Sequence, residues 1–366
     1  MNLLLSPAWR LAAVVLVGLN LRPALASIGP LLDTIQRASG LSDSAASLLT
    51  TLPILLMGAF GLVAPWLARR VGVRAGVGLG VALIGLACAA RVAAGAPAAL
   101  LASALCAGLG IAAAQALLPA SVATPFAAHA IGWTCALAGW ALPAAAAALL
   151  WPLATRATAR PAHARPAARR AHGARAWLLA AFFGLGTGAY TLVLAWLPPY
   201  YVSLGWSPEA AGGLLGGVTL AEVVAGLTVS ALVERLPDRR PALFTALVSL
   251  FAGLIALIAA PLGLALPASL LLGLGIGALF PLSLIVTLDH ASSAAEAGAL
   301  TGFVQGVGYL IAGLFPFVAG VIRQSVADLS PAWGFMATVC IAMAAMAARL
   351  APPRPAIARS GARSGT

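Results

Sequence analysis

Runs of about twenty consecutive apolar residues, each long enough to cross roughly 30 Å of hydrocarbon as an α-helix, recur along almost the whole chain. The chain is 62% hydrophobic and only 8% charged, and its mean hydropathy is +1.02. This composition is far from that of soluble globular domains. Strand-like alternation is absent from the sequence. The sequence therefore predicts an all-α polytopic membrane protein.

Eleven segments meet this criterion and fall into two halves. The predicted spans are 11–36, 44–67, 75–94, 97–119, 133–155, 176–203, 208–233, 241–260, 268–289, 295–324 and 331–349. The predicted organisation is a first helical half (1–155), a basic linker (156–175), a second helical half (176–350) and a disordered tail (351–366). Two halves with similar numbers of spans are typical of a secondary transporter.

The positive charge follows the connections between spans. All 21 basic residues are arginine, and the formal net charge is +12. Most lie near Arg10 and in "ARRVGVR", the linker, "ERLPDRRP" and the tail, whereas Arg37, Arg91 and Arg323 face the other side. The positive-inside rule places both termini and the linker in the cytoplasm, with the chain in a bacterial-type inner membrane. Short clusters between apolar runs also argue against a nucleic-acid-binding surface.

The number of spans in the first half conflicts with this orientation. Arg74 and the linker are both assigned to the cytoplasm, but only three spans lie between them. An even number is required, so one helix is missing. The gap falls in "PASVATPFAAHAIG" (119–132), which is too short and too rich in proline and small residues for a regular spanning helix.

Several motifs occur in an order that matches a known family. They are "GLNLRPALASIGPLLDTI", "SLLTTLPILLMGAFG", "LAWLPPYY", "LGLGIGALFPLSL" and "VQGVGYLIAG". Over nearly its whole length the chain resembles the cyanate and 2-nitroimidazole transporter family of the major facilitator superfamily. The resemblance implies two six-helix bundles, alternating access and a small, often anionic or polar, solute. Here the fold has about eleven helices instead of twelve, because most of the family's fifth helix is absent.

Arg22 is the charge with the strongest functional implication. A helix that begins near Arg10 and rises about 1.5 Å per residue places Arg22 roughly 18 Å into the bilayer. An unpaired cation there costs at least about 2.5 kcal/mol, so Arg22 must face a partner, a wet cavity or an anionic ligand. Its guanidinium suits bidentate binding of a planar anion. We predict a ligand contact; the alternative is a structural arginine paired within the protein.

Other polar side chains within the spans complete the predicted substrate site. The set comprises Asn20, Thr51, Gln115, Thr187, Tyr190, Gln305 and Tyr309. Thr301, Gln305 and Tyr309 follow an i, i+4, i+8 spacing, which makes one polar stripe on a helix. Hydrogen bonding between helices remains the alternative role for each residue in the set.

Acidic residues suggest two further roles. Glu222 lies deep in a span and is a candidate for proton coupling; alternatively it pairs with Arg22 or faces a water-filled cavity. Asp238 belongs to the second of two arginine-rich loops. These loops either only determine topology or form an inner-face charge network that holds one conformation closed. The network would contain Arg69, Arg70, Arg74, Asp238, Arg239 and Arg240.

Two shorter motifs receive structural interpretations. The glycine run "LLGLGIGALF" (271–280) follows no strand and lies within a span, so it predicts close helix packing rather than a nucleotide loop. The aromatic residues of "LAWLPPYY" lie at a helix end and predict an interfacial aromatic belt.

The leading functional hypothesis is a secondary active transporter of cyanate, a small carboxylate or a nitroimidazole-like solute. Its alternatives are a non-transporting remnant or solute-binding membrane protein that lost one helix, and a proton-coupled drug exporter that depends on Glu222. An enzyme is not expected, since no nucleophile–base arrangement occurs in the sequence. The expected partners are the solute, protons and the lipid bilayer; the protein is expected to be a monomer with no cofactor, metal or nucleic acid.

Overall fold

A computed structural model describes residues 28–71, 73–93, 96–117, 148–149, 173–291 and 293–351. Most of the predicted span 133–155 lies outside these ranges, together with 119–132, nearly all of the linker and the tail from 352 onward. Arg22 and Asn20 also lie outside them. The backbone is described at Arg69, Arg74 and Gln115, but their side chains are not.

The described ranges form ten α-helices. They are α1 (Ile28–Ser39), α2 (Asp43–Arg70), α3 (Val73–Ala90), α4 (Pro97–Leu117), α5 (Ala174–Ser203), α6 (Pro208–Leu232), α7 (Arg240–Ala259), α8 (Ala265–Asp289), α9 (Ala294–Val326) and α10 (Ser330–Ala348). Eight of the helices in the described residues are long and apolar enough to cross a membrane. The predicted all-α polytopic fold is confirmed.

Glycines bring the helices of the second half into close contact. A Cβ on Gly273 or Gly277 of α8 would collide with the backbone of α6, at Val218 and Glu222 respectively. A Cβ on Gly275 would lie 2.6 Å from the backbone nitrogen of Leu250 in α7. Since alternate glycines of one run face two different helices, α8 packs tightly on both sides. The prediction of close helix packing for this run is confirmed.

Gly277→Ala is expected to lower the free energy of unfolding by about 1–3 kcal/mol, because the new methyl group meets backbone atoms that cannot move aside by changing rotamer. The matched control is Gly213→Ala in α6, where a Cβ would meet no atom of the described ranges within 4 Å. Alanine has a higher helix propensity than glycine, so this gain is the same in both variants and cancels in the comparison. Thermal unfolding of the purified variants in detergent compares them, and equal stability would contradict the packing account.

The two halves meet along α9. Leu55 and Leu62 of α2 lie against Gly313 and Gly306 of α9, respectively. Gly58 of α2 lies against Leu310 and Gly306. Near the carboxyl end of α9, Gly320 lies close to Ser47 and to the carbonyl of Asp43. α9 also packs along α5, and α1 packs against α5 and α6. α9 therefore forms the main contact between the two halves, and α1 forms a second one.

The ends of the bundle are named here by their connections. The distal end contains the α1–α2 and α9–α10 connections, and the proximal end contains the α6–α7 and α8–α9 connections. α2 runs from the distal to the proximal end and α9 runs in the opposite direction. Successive contacts along α2 therefore meet earlier and earlier residues of α9.

The aromatic residues at the distal end of α5 are buried, so the interfacial-belt interpretation is wrong. Trp196 is 0% exposed, and its Nε1 donates a 2.9 Å hydrogen bond to the carbonyl of Pro316 in α9. The Tyr200 and Tyr201 hydroxyls donate to carbonyls of Leu257 and Pro261, at the end of α7 and just beyond it. These rings tie α5 to its neighbours because their polar atoms find partners inside the protein.

Candidate solute site between the two halves

The polar stripe of α9 lies between its two contact faces. Gly308 and Ala312 face α5, whereas Gly306 and Gly313 face α2. By helical periodicity, the stripe of Thr301, Gln305 and Tyr309 projects between these two faces. Thus the side chains that sequence spacing placed on one stripe are directed towards the space between the two halves.

The members of this stripe differ in exposure and in bonding. Gln305 is half-buried, whereas Tyr309 is buried, with 4% of its surface exposed. The buried Oγ1 of Thr301 has no hydrogen-bond partner among the described residues. A buried hydroxyl without a partner costs free energy, so it is suited to accept or donate a bond when a solute arrives.

An aromatic cluster joins the stripe to α5. Tyr309 meets Phe183 edge to face, with ring centroids 5.4 Å apart, and Phe183 lies 5.6 Å from Phe280 of α8. Thr187 and Tyr190 follow Phe183 by four and seven residues, so they share its face of α5. Thr187 is buried and Tyr190 is half-buried. The fold therefore brings these predicted residues of α5 and α9 to neighbouring faces.

Thr191, one turn after Thr187 in α5, hydrogen-bonds to a neighbouring helix. Its Oγ1 lies 3.0 Å from the carbonyl oxygen of Ala312 and 3.0 Å from that of Gly188. The hydroxyl therefore bonds between α5 and α9, as expected for polar groups that hold membrane helices together.

Thr51 of α2 lies in the first half, closer to the distal end than the α9 stripe. It is 2% exposed, and within the part of the chain that the structure describes its Oγ1 has no hydrogen-bond partner. Helical periodicity puts Thr51 on the same side as Leu55 and Leu62, which contact α9. Its neighbour Thr50, in contrast, donates a 2.9 Å bond to the carbonyl of Ser47 within its own helix. Thr51 thus places a second unpartnered hydroxyl on the side of α2 that faces the other half.

Glu222 lies at a crossing of two helices within the second half. It is half-buried, and its backbone is the surface that Gly277 of α8 approaches. The roles assigned to Arg22, Asn20 and Gln115 stay sequence-based predictions.

Three members of the proximal charge network, Asp238, Arg239 and Arg240, form ion pairs within the second half. Arg239 Nε donates to Asp289 Oδ2 at 3.0 Å, and its Nη1 also donates to the carbonyls of Val233 and Leu236. Through these bonds, Arg239 joins the end of α8 to the segment that follows α6. A contact between this loop and the first half remains a prediction.

Asp238 and Arg240 form a more local pair of that network. Arg240 Nη2 lies 2.7 Å from Asp238 Oδ2, and its Nε also bonds the carboxylate. These hydrogen bonds, which favour the ionised form, hold the pKa of Asp238 below its usual value.

Sequence reasoning missed an ion cluster at the distal end. Arg323 Nη1 lies 3.0 Å from Asp33 Oδ1 and 3.5 Å from Asp43 Oδ1. Gln36 Nε2 donates to Asp43 Oδ1 at 2.8 Å, and the Arg323 guanidinium carbon lies 5.4 Å from the centroid of the Trp196 ring. The available signal was an arginine on the arginine-poor side, together with two acids near the ends of the first two spans.

Comparison with solved structures shows which known fold the chain resembles. The chain superposes on a D-xylose-proton symporter with a TM-score of 0.69 and 14% identity, covering 95% of this chain and 98% of that one. An inward-open conformation of the xylose transporter XylE from E. coli also gives a TM-score of 0.69, at 12% identity over 92% of this chain and 94% of that one. At these identities the likeness shows the fold alone: a polytopic bundle of the type found in membrane transporters.

Sequence comparison then gives the family. The Major Facilitator Superfamily model matches residues 120–316 and 204–365. The chain is 35% identical to the cyanate transport protein CynX of Escherichia coli (strain K12), over 94% of this chain and 97% of the relative. It is 30% identical to the 2-nitroimidazole transporter of the same organism, over 86% of this chain and 88% of the relative. The chain belongs to the Major Facilitator Superfamily, in the same family as these two transporters.

The alignment lengths bear on the missing helix. The match to the cyanate transport protein runs over 375 positions, although the present chain has only 366 residues, of which 94% take part. The relative therefore has additional residues inside the matched region. A first half that lacks one helix would leave the relative with such additional residues. The number of helices in this chain stays a prediction.

Proposed function

We propose that this protein is a secondary active transporter that moves a small anionic or polar solute across a bacterial-type inner membrane by alternating access. Cyanate, small carboxylates and nitroimidazole-like compounds are the proposed solute classes. The observation that carries the proposal is the polar stripe of α9, which is directed between the α2 and α5 contacts. The activities named for the two relatives support it.

The proposed site suits a small solute with few polar atoms. Gln305 supplies an amide that both donates and accepts hydrogen bonds, and Tyr309 supplies a hydroxyl on a ring held by Phe183. Arg22 supplies the charge complement for an anion. Because residues of both halves contribute, rocking one half against the other would expose the solute first to one side and then to the other.

The orientation of the protein follows from its arginines. Among the described residues, the distal end carries Arg37, Arg91 and Arg323. The proximal end carries Arg70, Arg175, Arg235, Arg239, Arg240 and Arg349. The positive-inside rule makes the proximal end cytoplasmic and the distal end outward-facing, with both termini in the cytoplasm.

Gln305→Leu is expected to lower solute uptake by a factor of about 5 to 150, because a lost hydrogen bond to a bound polar or charged group costs about 1–3 kcal/mol. Uptake of cyanate, small monocarboxylates and nitroimidazoles into proteoliposomes measures this effect. Thr338→Val is the matched control, because it removes an exposed hydroxyl of α10 that bonds only within its own helix in the described structure.

Two outcomes would contradict the proposal in different ways. If the folded wild-type protein transports no compound of the panel, the remnant hypothesis replaces transport. If uptake occurs but Gln305→Leu behaves like Thr338→Val, the solute site lies elsewhere. Uptake that responds to a proton gradient and requires Glu222 would favour proton coupling.

A further inference from the structure

We propose that Arg323, Asp33 and Asp43 form an ion latch that holds the two halves together at the distal end, and that the latch must break before this end opens. The inference goes beyond the proposed solute chemistry because it concerns which conformation is favoured when the site is empty. It requires the halves to separate at this end but does not depend on the identity of the solute.

The latch joins elements that share no local sequence. Asp33 lies in α1 and Asp43 begins α2, both in the first half, whereas Arg323 lies in the last turns of α9 in the second half. These contacts span the division between the halves. Pairs such as Arg239–Asp289, in contrast, lie wholly within the second half. Separation of the halves at the distal end therefore requires the Arg323 contacts to be lost.

Partial burial makes the contacts stronger than those of an exposed ion pair. The exposed fractions of the Arg323, Asp33 and Asp43 side chains are 19%, 18% and 26%. Charges shielded from water to this degree are screened less by solvent and salt than fully exposed pairs. One guanidinium between two carboxylates also satisfies several of its donors at once.

Neighbouring residues fix the geometry of the cluster. Gln36 donates to Asp43 and so orients the carboxylate that faces Arg323. The face of Trp196 lies within the range of a cation–π contact with the guanidinium. Since Trp196 is fully buried and bonded to the Pro316 carbonyl, the ring is a rigid support on α5.

Close packing between α2 and α9 ends near the level of the latch. The last close glycine contact along this seam is Gly320 against Ser47 and the Asp43 carbonyl. Beside this contact, the two helices border an open groove of about 510 Å³ that is lined by Ser44, Phe317 and Gln324 among others. The ion contacts of Asp43 and Arg323 therefore lie at the distal end of this close-packed seam.

The test measures exposure of the seam without any solute. Ser47 is 0% exposed and lies against Gly320, so Ser47→Cys, in a chain whose native cysteines are replaced by serine, reports opening of the distal end. The probe is a membrane-impermeant maleimide added to proteoliposomes of known orientation. We expect Arg323→Gln to raise the labelling rate of this cysteine by about fivefold or more, within the usual range of conformational coupling.

Matched variants separate the latch from a general charge effect. Arg37→Gln removes another arginine of the distal end, whose Nε bonds to the Asp33 carbonyl within its own helix. It is expected to leave the labelling rate unchanged. Asp33→Asn combined with Asp43→Asn is expected to act like Arg323→Gln. The triple variant should label no faster than either, because all these changes remove the same contacts.

The proposal is overturned if Ser47→Cys stays equally protected in Arg323→Gln, or if Arg37→Gln raises the labelling rate as much. Asp33→Asn is nearly isosteric and provides the same test if Arg323→Gln does not fold. Because labelling needs no solute, a latch without measurable transport and transport without a latch are distinguishable results.

Discussion

Arg22→Ala is expected to lower kcat/KM for an anionic solute by a factor of about 30 to several thousand, since loss of one partner of a buried charge pair costs about 2–5 kcal/mol. The physical reason is that a bound anion would lose its charge complement in a medium with little water. Uptake of cyanate and of a small carboxylate into proteoliposomes measures the effect. The prediction rests on sequence alone, because Arg22 lies outside the described residues.

Two comparisons separate ligand binding from a structural role of Arg22. Arg22→Lys keeps the charge but loses the planar fork, so an intermediate loss of uptake is expected. A neutral nitroimidazole that the wild type transports should be affected far less than cyanate by Arg22→Ala. Equal losses for neutral and anionic solutes, together with lower thermal stability, would assign Arg22 a structural role instead.

Trp196→Ala is expected to lower the free energy of unfolding by about 3–5 kcal/mol. The change leaves a large cavity among α5, α9 and their neighbours and removes the donor to the Pro316 carbonyl. Trp196→Phe keeps most of the packing, so its expected cost is about 1–3 kcal/mol, for the unpaired carbonyl. Unfolding of the purified variants in detergent gives both values.

The control for this prediction lies in the same helix. Trp177 is 55% exposed and makes an edge-to-face contact with Phe303, with ring centroids 5.1 Å apart. Its replacement by alanine is expected to cost only about 1 kcal/mol, as for a single aromatic contact. If Trp196→Ala and Trp177→Ala destabilise the protein equally, Trp196 does not carry the packing role assigned to it.

Most helix positions could be predicted from the sequence. The spans 176–203, 208–233 and 268–289 differ by at most a few residues from α5, α6 and α8. Hydrocarbon accounts for this agreement. A backbone without water must satisfy its hydrogen bonds within the segment, so a long apolar run becomes a helix of known length. The i, i+4, i+8 spacing likewise placed Gln305 and Tyr309 on one face before any neighbour was known.

The partners of these faces were decided only by tertiary structure. Trp196 was assigned to the membrane interface from its position, but rotation of α5 turns it towards α9. Gly275 and Gly277 are two residues apart in the chain, yet they contact different helices.

The same division between sequence and tertiary structure applies to the distal ion cluster. Asp33 and Arg323 are 290 residues apart and are joined by a 3.0 Å contact. The sequence determined that this chain forms membrane helices with a few buried polar groups, because burial in hydrocarbon acts on each segment separately. Which groups meet depends on the rotation and crossing of helices, and these are set by packing among segments that are distant in the chain.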